Sequence, residues 1–103
     1  MTQNSTRRIH VGVTWYHQEQ YDVVRAYCED GDSMDKTFEE WKAGAENAVR
    51  ELRSDGNEVV RIDFDLEEFK LWCSVKGKKP NASSRSEYTV EKLRDSDKGR
   101  RPG

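Results

Sequence analysis

Apolar and polar residues alternate at the start of the chain. Ile9, Val11, Val13 and Trp15 are interleaved with His10, Gly12, Thr14 and Tyr16. A period of two predicts a strand with one buried face. The period then lengthens. Tyr21, Val24 and Cys28 stand at i, i+3 and i+7, widened by Val23 and Tyr27, which predicts a helix over about residues 18–29. Glu29-Asp30-Gly31-Asp32-Ser33 breaks it with turn-forming residues. Thr37-Phe38-Glu39-Glu40 has the spacing of a capping box, in which the hydroxyl takes one orphan backbone N–H and Glu40 reaches back to another. Phe38, Trp41, Ala45, Ala48 and Leu52 follow at helical spacing, a single apolar stripe. Asp55-Gly56-Asn57 is the expected stop, with Gly56 suited to the left-handed conformation.

A second strand is predicted at Val59–Phe64, with Val60, Ile62 and Phe64 on one face. Asp65 is placed to cap a third helix, with Glu68 at its third position. Phe64 and Phe69 are spaced for a hydrophobic staple around that cap. Leu66, Phe69 and Cys73 line one face of this helix, with Trp72 beside them, and Gly77 is the expected stop. Lys78–Ala82 reads as a connector. Ser84-Arg85-Ser86-Glu87 repeats the capping-box spacing and opens a short helix through about Leu93.

The predicted order is β-α-α-β-α-α, a small α+β domain over residues 8–94. Residues 1–7 and 95–103 are expected to be disordered polar ends. Two strands joined through a helical pair are expected to run parallel, with a right-handed crossover. Two strands make a poor sheet by themselves, which points to a homodimer by edge pairing or to a core built mainly of helices.

Composition bounds this picture. The 103 residues are 33% hydrophobic and 37% charged, enough for one domain with a small core. No window approaches the ~18 apolar residues of a membrane span. Met1–Arg8 is polar and lacks the apolar segment of a secretory signal, so a cytoplasmic location is expected. Charge is unevenly spread. Residues 17–68 hold six Lys/Arg against sixteen Asp/Glu, whereas residues 69–103 hold ten against four. An acidic body therefore carries a basic C-terminal third.

Candidate chemistry is sparse. Cys28 and Cys73 form no C-x-x-C, and with His10 and His17 they have no recognised ligand spacing, so neither metal nor cofactor is expected. Asp30 and Asp32 match the first ligands of a calcium loop, but Met34 stands where a ligand should and Asp35 where Gly is needed. No nucleophile has a base written beside it, and Gly31, Gly44 and Gly56 are isolated rather than part of a phosphate loop. No enzyme is expected.

One series of residues is distinctive. Trp15-Tyr16, Tyr21, Thr37-Phe38 with Trp41 and then Ala45-Glu46, Val59-Val60-Arg61-Ile62, Asp65, Phe69 with Trp72-Cys73, Gly77 and Arg85 follow in order. The series resembles a family of small hypothetical bacterial proteins with no assigned activity. The likeness covers about residues 9–90, and F-x-x-W-C followed by Gly and Arg is its more specific part. Members often carry Pro before the Thr of the second helix, where this chain has Lys36. The resemblance implies a shared fold unit and a bacterial source. It implies no mechanism.

The functional expectation is a non-enzymatic protein-binding or regulatory module that uses its acidic surface. Trp15, Trp41 and Trp72 sit on predicted apolar faces and read as core, leaving Tyr16 and Tyr21 as the exposed aromatics. The expected binding residues are Tyr16, His17, Tyr21 and Arg25 beside the acidic loop of Asp30, Asp32 and Asp35. The alternative is a nucleic-acid-binding protein acting through the basic C-terminal helical pair, with Lys78, Lys79 and Arg85 on phosphates. Glu87 and Glu91 on the same helix oppose that alternative.

Overall fold

The structure, a computed structural model, describes residues 10–100, with side chains as far as Ser96. Strand β1 (His10–Trp15) leads into helix α1 (Gln18–Tyr27). A 3-10 turn (Gly31–Ser33) and helix α2 (Phe38–Ser54) follow. Strand β2 (Glu58–Asp63), helix α3 (Leu66–Lys76) and helix α4 (Ala82–Arg100) complete the chain. This is the expected α+β order. The two strands pair in parallel, with His10 opposite Glu58 and Trp15 opposite Asp63.

The local stops and starts lie where the side chains dictate. Thr37 accepts the Glu40 N–H at 3.1 Å, and Asp65 accepts the Glu68 N–H at 3.0 Å. Phe64 and Phe69 meet at 5.0 Å between ring centroids, closing the staple around Asp65. Gly56 and Gly77 both take positive φ at the ends of α2 and α3. The buried stripe of α2 passes through Val49, whereas Ala48 is exposed. Val49 stands four residues beyond Ala45, which keeps the stripe on one side over the length of the helix.

Two expectations about α4 are corrected. The helix starts at Ala82 rather than Ser84, because Asn81 caps it. Asn81 accepts the Ser84 N–H on Oδ1 at 3.0 Å and the Arg85 N–H on its carbonyl at 2.9 Å. Ser84 lies inside the first turn, buried, and donates its hydroxyl to the Lys79 carbonyl. The helix also runs through residues 95–100 instead of fraying after Leu93. No Gly or Pro interrupts the chain between Pro80 and Gly99, so nothing stops propagation. The expected loose ends at residues 1–7 and 101–103 lie outside the described residues.

The sheet is covered on both faces. In a parallel pair, residues opposite one another share a face. Gly12 and Thr14 therefore share a face with Val60 and Ile62, and this face packs on α4. A Cβ at Gly12 would lie 3.2 Å from the Leu93 side chain, and the Thr14 and Thr89 hydroxyls hydrogen-bond at 2.5 Å. Val11, Val13 and Trp15 look the other way, where Trp15 meets Trp41 of α2 edge-on at 5.0 Å. The apolar sets expected for the two strands thus lie on opposite faces of one sheet.

Below the strand ends sits an aromatic core. Tyr16, Tyr21, Val24, Cys28, Phe64, Leu66, Phe69, Cys73 and Tyr88 are buried together, with Phe38, Trp41 and Trp72 packed around them. No described helix is long and apolar enough to cross a membrane.

Candidate functional site

The residues expected to form a recognition surface do not come together as one. Tyr16 is buried, with its ring 5.0 Å from Trp41, 5.1 Å from Phe64 and 5.7 Å from Tyr21. Its exposure was expected from strand alternation, but β1 ends at Trp15, and Tyr16 turns into the aromatic core beside the same Trp41 that Trp15 meets. Burial pushes the Tyr16 hydroxyl up to about 12. Tyr21 is also buried, and its hydroxyl donates to the Asp35 carbonyl at 2.6 Å. Arg25 donates to the Lys36 carbonyl at 3.4 Å, so it ties the loop down. His17, Asp32 and Asp35 are exposed.

Asp30 and Arg85 were expected to serve two different partners, a protein and a nucleic acid. The fold pairs them with each other. Arg85 is buried on α4, and its two terminal nitrogens donate to the two Asp30 oxygens at 2.9 and 3.1 Å. The guanidinium also lies beside the Tyr16 hydroxyl and the Cys28 thiol. The hydrogen bonds from Arg85 hold the Asp30 carboxyl below its usual range. Burial pushes the Cys28 thiol up against the opposing pull of Arg85, so the thiol is protonated at neutral pH. Arg85 is thus buried and paired within the fold rather than presented on the surface. Of the remaining basic pair, Lys78 reaches Glu87 at 3.3 Å and Lys79 is exposed.

No group of three His, Cys, Asp or Glu side chains converges among the described residues. The open chemistry lies instead on the main chain. The Phe64 N–H donates to the Trp15 carbonyl at 2.9 Å. Backbone groups alternate along a strand, so Val60 and Ile62 also turn their N–H and C=O toward β1. Val59, Arg61 and Asp63 therefore turn theirs outward, and no third strand receives them among the described residues.

A groove of about 790 Å³ runs along this edge. Val60–Asp63 form one side, Asp65, Glu67, Glu68 and Leu71 of the α3 region another, and Lys92 and Ser96 of α4 close it. Four acidic residues are among its lining, with Arg61 and Lys92. Charges of both signs are engaged: Asp65 accepts the Glu68 N–H and Glu67 meets Lys70 at 3.5 Å. Arg61 stacks over the Trp15 ring at 4.1 Å, and Lys92 donates to both Glu68 oxygens at 2.9 and 3.1 Å. Glu68 also accepts the Tyr88 hydroxyl, and that bond, with Lys92, holds its carboxyl below the usual range. Asp63 contacts His17 at 3.1 Å.

Sequence reading missed Glu68, Tyr88 and Lys92 as a connected set. Glu68 was legible as a capping-turn residue, and Tyr88 and Lys92 stand four apart on one helix face. Their convergence depends on how α3 and α4 pack, which no local spacing encodes. Compared with known proteins, the chain matches no family model, no curated protein and no solved structure.

Proposed function

We propose that this domain is a protein-binding module that takes an extended, basic segment of a partner protein onto the open edge of β2. The observation that carries the reading is the row of outward N–H and C=O groups on Val59, Arg61 and Asp63, bordered by an acidic groove. An exposed strand edge pairs with any chain that presents complementary backbone groups. The acidic residues Asp65, Glu67 and Glu68 at the start of α3 then select Lys or Arg side chains on that chain. In this reading the protein acts in the cytoplasm, without catalysis, and belongs with the small bacterial proteins it resembles.

This proposal keeps an acidic binding surface but uses the groove in place of the loop at Asp30, Asp32 and Asp35, where Asp30 is paired with Arg85. Nucleic acid is the weaker partner, because Arg85 is spent on Asp30 and the groove carboxylates repel phosphate. A second copy of this chain is also weaker. Two-fold pairing of β2 edges would bring two acidic grooves together.

The test is an anisotropy titration with a labelled eight-residue peptide of alternating Val and Lys. Saturable binding is expected, weakening as salt rises. The fully N-methylated peptide is expected not to bind, because it has no N–H to donate. Val59→Pro removes an outward N–H while sparing the ladder to β1, and is expected to weaken binding about tenfold. Equal binding of the methylated peptide would overturn the reading, as would a doubled mass without peptide that Val59→Pro abolishes.

A further inference from the structure

We propose that the cleft between α3 and α4 receives one large apolar side chain of the basic segment and so sets which sequences the edge accepts. This rests on the strand-addition reading and specifies its ligand.

Leu71 and Val75 stand one helical turn apart on α3 and are 65% and 75% exposed, although the opposite face of the same helix is fully used by Leu66, Phe69 and Cys73. Together with Trp72 and Tyr88 they line a cleft of about 290 Å³. Its aromatic members are already fixed. Trp72 stacks on Phe69 at 6.1 Å and donates its indole N–H to Glu91 at 3.1 Å, while Tyr88 is buried and held by Glu68. An entering side chain therefore meets preorganised rings and need not order them.

The cleft is continuous with the edge groove. Glu68, Leu71 and Lys92 line both, and the Glu68–Lys92 ion pair marks the boundary. A chain lying on β2 with its basic residues over Asp65, Glu67 and Glu68 reaches this boundary directly. Beyond it the lining adds the apolar surfaces of Trp72, Val75 and Tyr88, rimmed by Lys76, Glu91 and Asp95. The complementary ligand is thus an extended segment with Lys or Arg followed or preceded by one Leu, Phe or Trp. Charge selects the body of that segment, and apolar burial selects its end.

Three labelled peptides test this: the alternating Val–Lys octapeptide, and two copies carrying Gly-Phe at one terminus or the other. One of the Phe peptides is expected to bind about tenfold more tightly than the parent, the gain of burying one large apolar side chain. The substitution Val75→Asn, at a position that lines the cleft and not the edge groove, is expected to remove most of that gain and leave the parent peptide's affinity unchanged. Val75 is exposed, so the fold is kept, which far-UV circular dichroism checks. If the parent binds and neither Phe peptide gains, the cleft proposal falls and strand addition stands. A gain that survives Val75→Asn in full also overturns the cleft proposal. If no peptide binds, both readings fall together.

Discussion

Replacing Asp30 by Ala isolates the energetic role of the buried arginine. The Arg85 side chain is 9% exposed and the Asp30 side chain 25%. Arginine does not deprotonate inside a protein, so the variant leaves a positive charge in the core with no partner. Breaking a buried ion pair on one side costs about 3–5 kcal/mol, and the partial exposure of Asp30 places this case near about 3 kcal/mol, since water can replace some of the lost contact. For a domain of this size that is about a third of a typical stability. It lowers the midpoint of a thermal melt by roughly 12–24 °C at about 4–8 °C per kcal/mol. The control is the double variant Asp30→Ala with Arg85→Met, which removes the stranded charge and refills the space beside Tyr16 and Cys28. It is expected to be more stable than Asp30→Ala alone. A melt of Asp30→Ala within about 4 °C of the parent, the behaviour of an ordinary surface acid, would refute the reasoning. So would a double variant no better than the single one.

Other consequences follow from individual contacts. A Cβ on Gly31 would lie 1.8 Å from the Arg25 carbonyl oxygen, a backbone atom with little freedom to give way. Gly31→Ala is therefore expected to cost more than about 2 kcal/mol in urea unfolding, and an unchanged midpoint would show that the turn is not built as described. Asp65→Ala removes the cap on the Glu68 N–H and is expected to cost about 1 kcal/mol by the same assay. Acid should unfold the protein in a defined window. The Asp30 carboxyl is lowered by hydrogen bonds from Arg85, and the Glu68 carboxyl by those from Tyr88 and Lys92. Their contributions are full above the ordinary carboxylate pKa of about 4 and are lost as pH falls through the lower folded values. Melts between pH 7 and pH 2 should show stability falling at the acid end, and Asp30→Ala should make that fall shallower.

The local grammar of the chain was legible because each of its signals acts over a few residues. The Thr37 and Asp65 caps, the Phe64–Phe69 staple and the Gly56 and Gly77 stops were all readable from spacing. What escaped was the pairing of distant elements. Period-two alternation marks one apolar face per strand, but register decides whether two such faces coincide. Here Val13 lies opposite Arg61 and Thr14 opposite Ile62, so the two faces oppose and both are covered. Tyr16, placed on a wet face by alternation alone, lies past the end of β1 and is buried against Trp41 and Phe64. Arg85 escaped for a related reason. Its partner Asp30 is 55 positions away. One local sign was present: Tyr88 stands three residues beyond Arg85 on the same helix face, and both are buried.

Because α2 and α4 cover the two faces of the sheet, its edges are the main-chain surface left over. Charged residues on an edge strand commonly guard it against unwanted pairing, and Arg61 and Asp63 invite that interpretation. Their contacts argue against it. Arg61 leans over the Trp15 ring, and Asp63 turns toward His17, so both side chains are drawn onto one face of the sheet. No third strand takes the outward N–H and C=O groups of β2 among the described residues. A guard would also carry one sign across the whole approach to the edge, whereas here the carboxylates gather at the α3 end, where β2 finishes. On the strand-addition proposal that asymmetry would orient an incoming chain, since its basic residues would lie over the first turn of α3. An edge that repelled all comers would have no use for such a direction, and an edge that receives one partner depends on it.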